Sequence, residues 1–164
     1  MRYISYQGIY DGTNYQNANT PPQISKALLA GFDCMMDVWR IDGRLYVGAN
    51  NDPNIEVTEL YIQGARKWIN VQNDEMKEWI VTKPAKLYPN YFWFDTPTPP
   101  PAYVTASNGK LITPGTVPIN NNSVIFLPEI TDKSMFTTTH LKCYAVCSTY
   151  LTYIKRMRNE GLWY

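Results

Sequence analysis

Residues 18–48 read ANTPPQISKALLAGFDCMMDVWRIDGRLYVG, and this stretch sets the architecture. Thr20 stands where a helix N-cap is wanted, Pro21 suits a first helical position that needs no N–H donor, and Gln23 has the spacing of a capping box. Gly31 can close the same helix. Between these signals Ile24, Ala27 and Leu28 recur at helical spacing and form the buried face of a short helix. Directly after it, DCMMDVW at 33–39 has the apolar density of a strand, IDG makes a turn, and RLYVG is a second strand.

Outward from this block, RYISYQ alternates with period two and predicts a first strand, and GIYDGTNYQNAN is a turn-rich loop. Thr58 precedes a brief helix in ELYIQGA, KWINV at 67–71 is a strand, and Asn73 caps DEMKEWIV, where Met76, Trp79 and Ile80 share one face. LYPNYFWF, SVIFLP and LKCYAV are strand-like. Prolines in DTPTPPPAY lack ladder donors, so this segment is a stiff loop. STYLTYIKRMRNEG forms a last helix with Leu151, Ile154 and Met157 inward. Strand following helix at each step predicts an α/β fold with largely parallel strands, about six or seven of them with about four helices. A small closed barrel and an open sheet both fit that order.

The chain of 164 residues, 45% hydrophobic, is expected to form one domain over 1–164 with a substantial core. Fifteen basic and fourteen acidic residues leave a formal charge of +1, so no global field steers the protein to nucleic acid or an anionic membrane. No apolar run approaches the roughly 20 residues of a membrane span, and MRYISYQG lacks the apolar stretch of a signal peptide. A cytoplasmic or virion-associated, soluble protein without membrane insertion is expected. Cys34, Cys143 and Cys147 match neither a redox pair nor a zinc knuckle and read as buried thiols. Thirteen tyrosines, five tryptophans and twelve prolines suit a protein lodged among protein partners. The single histidine, His140, has no nucleophile elbow, phosphate-cradling glycine loop or HExxH pattern to accompany it.

The order YQG, ANTPPQISKALLAGFD, DVW, DGRLYVG and WINVQN, with LPE at 127–129 and VCSTYL at 146–151, resembles the glycerophosphodiester phosphodiesterase-like proteins. The resemblance covers most of the chain and is most specific from the first helix through DVW and DG to the following glycine. It implies a TIM-type (β/α) barrel. Because such barrels commonly take more than about 200 residues, a small, incomplete or distorted one is expected.

The resemblance also implies a chemistry of two histidines acting as acid and base, with a divalent cation held by carboxylates. Imidazole suits proton transfer near neutrality, and a hard cation wants charged oxygens. Against that pattern, the family's His-Arg-Gly is Tyr6-Gln7-Gly8 here. A phenol titrates near about 10 and an amide lacks the arginine charge that clamps phosphate. Glu-Asn-Thr becomes Ala18-Asn19-Thr20, and in the Glu-x-Asp pair Met35 replaces the glutamate while Asp37 stays. The second histidine position is Ala49, and the lysine expected near WINVQN corresponds to Gln72. Glu129 in LPE is retained as the acidic companion of Asp37.

The expectation is therefore a catalytically inactive barrel with no cofactor and no metal, serving as a structural or protein-interaction subunit, for example of a phage capsid, tail or baseplate. Two other readings remain open at this stage. One is an altered, metal-dependent phosphodiesterase built on Asp37 and Glu129. The other is a sugar- or phosphate-binding module with Tyr6, Trp39 and Trp93 stacking on a ring.

Overall fold

The computed structural model describes residues 1–95, 104–113, 119–131 and 142–161. The proline-rich run at 96–103 and His140 lie outside the described residues. In chain order the elements are β1 (Arg2–Tyr6), α1 (Pro21–Leu29), β2 (Asp33–Ile41), β3 (Arg44–Val47), β4 (Ile55–Val57), α2 (Glu59–Ile62), β5 (Lys67–Val71) and α3 (Asp74–Ile80). They continue with β6 (Tyr91–Phe92), β7 (Val104–Thr105), β8 (Leu111–Thr113), β9 (Ser123–Phe126), α4 (Pro128–Thr131), β10 (Ala145–Ser148) and α5 (Leu151–Asn159).

The ten described strands form one mixed sheet. Six pairings are parallel and link β6, β5, β2, β1, β10, β9 and β8 in that spatial order. Three are antiparallel: β3 folds back on the far end of β2, β4 on β3, and β7 on β8. The first strand therefore lies beside the last one, with Arg2 opposite Ala145 and Ser5 opposite Ser148.

The sheet curls, because side chains from both of its ends meet in a common core. Ile4 of β1, Met35 of β2, Trp68 of β5, Phe92 of β6, Ile112 of β8, Val124 of β9 and Cys147 of β10 pack together, all but excluded from solvent. The space among them holds no water-sized void, as in the filled interior of a small barrel. A second core lies between the sheet and the helices, with Ile24 of α1, Met76 and Ile80 of α3, and Met36, Val38, Ile69 and Val71 of the outer sheet face. Alternate residues of β2 thus serve different cores, Met35 inside and Met36 outside, as the period of two requires.

The curl does not close into a complete eight-stranded barrel. β6 is only two residues long and no ladder joins it to β7 or β8. The two sides of the gap touch through Ser107, whose N–H donates to the Tyr91 carbonyl at 2.8 Å and whose Oγ accepts from the Tyr91 N–H at 2.9 Å. A half-barrel with mixed strand directions results.

The end opposite the strand carboxyl ends is held by charge. Buried Asp33 pairs with Arg2 at 2.7 Å and Arg66 at 3.5 Å, and Trp68 Nε1 points to it at 3.4 Å. Some local expectations need correction. Thr20 precedes α1 but makes no side-chain cap; its hydroxyl donates to the Asn17 carbonyl at 2.7 Å, and Gln23 Nε2 donates to the Gly8 carbonyl at 2.9 Å. The strand expected over LYPNYFWF shrinks to Tyr91 and Phe92, and β4, β7 and β8 add three strands to the expected set. The caps at Thr58 and Asn73 do form, accepting from the Tyr61 and Met76 N–H groups at 3.2 and 3.3 Å.

Candidate functional site at the strand carboxyl ends

Parallel strands bring their carboxyl ends to one side, and the inward-facing positions follow by counting in twos. Two residues beyond Ile4, Met35, Trp68, Phe92 and Val124 come Tyr6, Asp37, Asn70, Phe94 and Phe126. The register sets Asp37 of β2 opposite Asn70 of β5. The Tyr6 and Phe126 rings meet edge-on at 5.7 Å, and Phe94 lies 5.7 Å from Phe126.

Asp37 is the centre of the polar part. It is 3% exposed, and each of its carboxylate oxygens accepts a bond from a side-chain amide: Oδ2 from Gln7 Nε2 at 2.7 Å, Oδ1 from Asn70 Nδ2 at 2.8 Å. Burial raises its pKa above the ordinary carboxylate value, and the bonds from Asn70 and Gln7 offset only part of that shift. Asn70 Oδ1 is buried and accepts no hydrogen bond. Asn19 completes the frame from behind. Its amide accepts from the Asp37 N–H at 2.9 Å and donates to the Asp37 carbonyl at 2.9 Å and the Gly48 carbonyl at 3.1 Å.

The backbone around this group is strained. Gln7 and Leu127, neither of them residues that favour it, adopt left-handed φ values of 53° and 47°, beside Asn19 at 58°. Gly8 is required for a steric reason as well. At φ +81° its Cβ would stand 2.9 Å from the Gln23 carbonyl and the Ile24 nitrogen, where the turn after β1 meets α1.

The remaining expected positions separate by role. Met35 belongs to the interior, with Cys147 Sγ 4.0 Å from its sulfur. Ala18 is buried beside Asn19, and Ala49 begins a short 3-10 turn after Gly48. Gln72 lies just past β5 and donates to the Asn70 carbonyl at 3.3 Å, so Asn70 rather than Gln72 is the β5 side chain that reaches Asp37. Glu129 serves its own set of donors: Oε1 accepts from the Thr149 N–H and hydroxyl, both at 2.8 Å, and Oε2 from the Ser148 hydroxyl at 3.0 Å. Asp37 and Glu129 are thus engaged by separate donors, and no group of three His, Cys, Asp or Glu among the described residues has metal-binding geometry.

Burial foremost, and then the neighbouring Asp37 charge, hold the Tyr6 phenol protonated well above its usual range. Beside Tyr6 an open cleft of about 560 Å³ is walled by Tyr15, Leu127, Glu129, Ile130, Thr149, Tyr150 and Tyr153. Of the three aromatics expected at a ring-stacking mouth, only Tyr6 lines this cleft. Trp93 instead stacks on Tyr91 with Lys77 Nζ 4.5 Å above its ring, and Trp39 pairs with Tyr46 across β2 and β3.

Chemically, the Asp37 cluster is a carboxylate satisfied by two neutral amides, with a phenol that stays protonated at neutral pH. A hard cation would have to displace those amides, and Tyr6 is a poor proton acceptor. The sequence reading named Asn19 within Ala18-Asn19-Thr20 but not Asn70. The available signal was a polar residue at an inward position of the apolar strand KWINV. Comparisons of the chain with protein-family models, with curated proteins and with solved structures find no match.

Proposed function

We propose that this chain is a catalytically inactive relative of the glycerophosphodiester phosphodiesterase barrels that serves as a structural or protein-interaction subunit of a larger assembly, for example a virion. The observation that carries the reading is the Asp37 carboxylate, with both oxygens committed to the Gln7 and Asn70 amides at 2.7 and 2.8 Å. Where the family resemblance calls for a phosphate-clamping arginine, Gln7 is spent hydrogen-bonding the retained carboxylate instead.

The parallel order in which β1 lies between β2 and β10 supports the barrel relationship, since a (β/α) barrel joins its last strand to its first. The persistence of left-handed backbone at Gln7 and Leu127, at the ends where such barrels carry their chemistry, supports it too.

The test has two arms. Glycerophosphodiester hydrolysis is measured with added magnesium or calcium, and turnover no higher than that of Asp37→Ala is expected; turnover that Asp37→Ala abolishes would overturn inactivity. Hydrodynamic mass is measured on the protein from its native source, where a complex is expected. A free monomer would overturn the assembly role.

A further inference from the structure

We propose that the tyrosine-walled cleft beside Tyr6 binds a neutral carbohydrate ring. The cleft's volume of about 560 Å³ exceeds that of a single sugar ring and lies within the roughly 300–1,000 Å³ of small-molecule sites. The inference goes beyond the loss of phosphodiester chemistry and does not depend on it, because Tyr6 is the one lining residue that the cleft shares with the Asp37 cluster.

The walls are fixed by the fold. The Gly12 N–H donates to the Thr149 carbonyl at 2.8 Å and the Thr152 N–H to the Tyr10 carbonyl at 2.9 Å, so the loop after β1 is pinned to the start of α5. A Cβ on Gly12 would stand 2.3 Å from Tyr150 Cε1, so the Tyr150 ring lies where only glycine leaves room. Tyr15, Tyr150 and Tyr153 are each between 41% and 47% exposed, offering ring surface to a ligand.

The polar groups are wired together. Tyr15 OH donates to Thr149 Oγ1 at 3.1 Å, and Thr149 Oγ1 donates to Glu129 Oε1 at 2.8 Å. The Ser148 hydroxyl and Thr149 N–H fill two more acceptor sites of the carboxylate, leaving lone-pair capacity on Oε2. Such an oriented chain next to phenols presents acceptors and donors side by side. A sugar offers the complement, a C–H-rich face for an aromatic ring and hydroxyls that donate and accept.

Charge narrows the class. No lysine or arginine is among the described residues lining the cleft, and Glu129 brings a carboxylate, so a phosphate or other anion is disfavoured. A quaternary ammonium would leave the hydrogen-bond chain unused.

Saturation-transfer NMR and calorimetry on the full chain provide the test, with glucose, galactose, N-acetylglucosamine and their disaccharides as probes. Sn-glycerol 3-phosphate and tetramethylammonium are the charged controls. Saturable binding of at least one sugar, with Kd of about millimolar or tighter, is expected. Tyr153→Ala should weaken it about tenfold by removing an exposed stacking face, while Tyr153→Phe, which keeps the ring, should stay within about threefold. No saturable sugar binding, binding unaffected by Tyr153→Ala in a folded variant, or preference for either charged control would each overturn the proposal.

Discussion

Replacing Asp37 in two ways separates the amide-held carboxylate from a merely buried one. Asp37→Ala strands the Gln7 and Asn70 amides that now donate at 2.7 and 2.8 Å, and Asn70 Oδ1 already has no partner. The buried Asn70 donor left unpaired costs about 1–3 kcal/mol and the half-buried Gln7 amide less, since water can reach it; loss of the buried charge returns part of this, so a net loss of about 1–3 kcal/mol is expected. Asp37→Asn keeps the shape without the charge, and Asn70 can exchange its amide ends to accept from the new NH2. This variant should match or exceed the parent at pH 7. The pH dependence fixes the sign. Asp37's folded pKa is raised, so protonation stabilises the parent fully below the unfolded value near about 3.9, and that contribution fades as pH rises through the folded value. The advantage of Asp37→Asn over the parent should therefore grow from acid toward neutral pH. Urea unfolding followed by tryptophan fluorescence across that range measures it. If Asn were as damaging as Ala at pH 7, or its offset from the parent did not vary with pH, the account of this carboxylate would be refuted.

Asn19→Ala removes three buried hydrogen bonds to the Asp37 and Gly48 backbones and should cost about 2–4 kcal/mol in the same denaturation assay. Gly8→Ala combines a positive φ with Cβ contacts of 2.9 Å to backbone, so a loss of about 2–4 kcal/mol or failure to fold is expected; a neutral effect would mean the turn after β1 is not packed on α1. Burial pushes the Cys34 thiol up to about 12 and Cys143 up to about 11, and raises Cys147 well above its usual value. All three should resist a thiol-specific disulfide reagent at pH 8 and react only on unfolding.

Elements whose causes are local were legible in the sequence. The α1–β2 block carries its own periodicity, and the caps of α2 and α3 depend on a side chain reaching three residues ahead. Where a nearer or more distant partner competed, the reading failed. The Thr20 hydroxyl went to Asn17 and the Gln23 amide to Gly8 across the turn, leaving α1 without the expected box. Three-residue β4 exists because it pairs with β3, its own residues alternating too briefly to announce it. At the site, the face shared by Met35 and Asp37 followed from counting in twos. The partner Asn70 did not, since it lies 33 residues away and is selected by the β2–β5 register.

The sequence by itself determined most of the helices and strands and that Asp33, Met35 and Asp37 share one face of β2. These depend on dihedral preference and residue period, both properties of a few neighbouring positions. Only the tertiary structure decided that β10 lies against β1, that the curl stops short of closure at β6, and that Asp37 meets two amides while Glu129 meets Ser148 and Thr149. Those outcomes depend on long-range strand pairing and on satisfying buried polar groups with whatever donors the register delivers. No local pattern encodes that delivery.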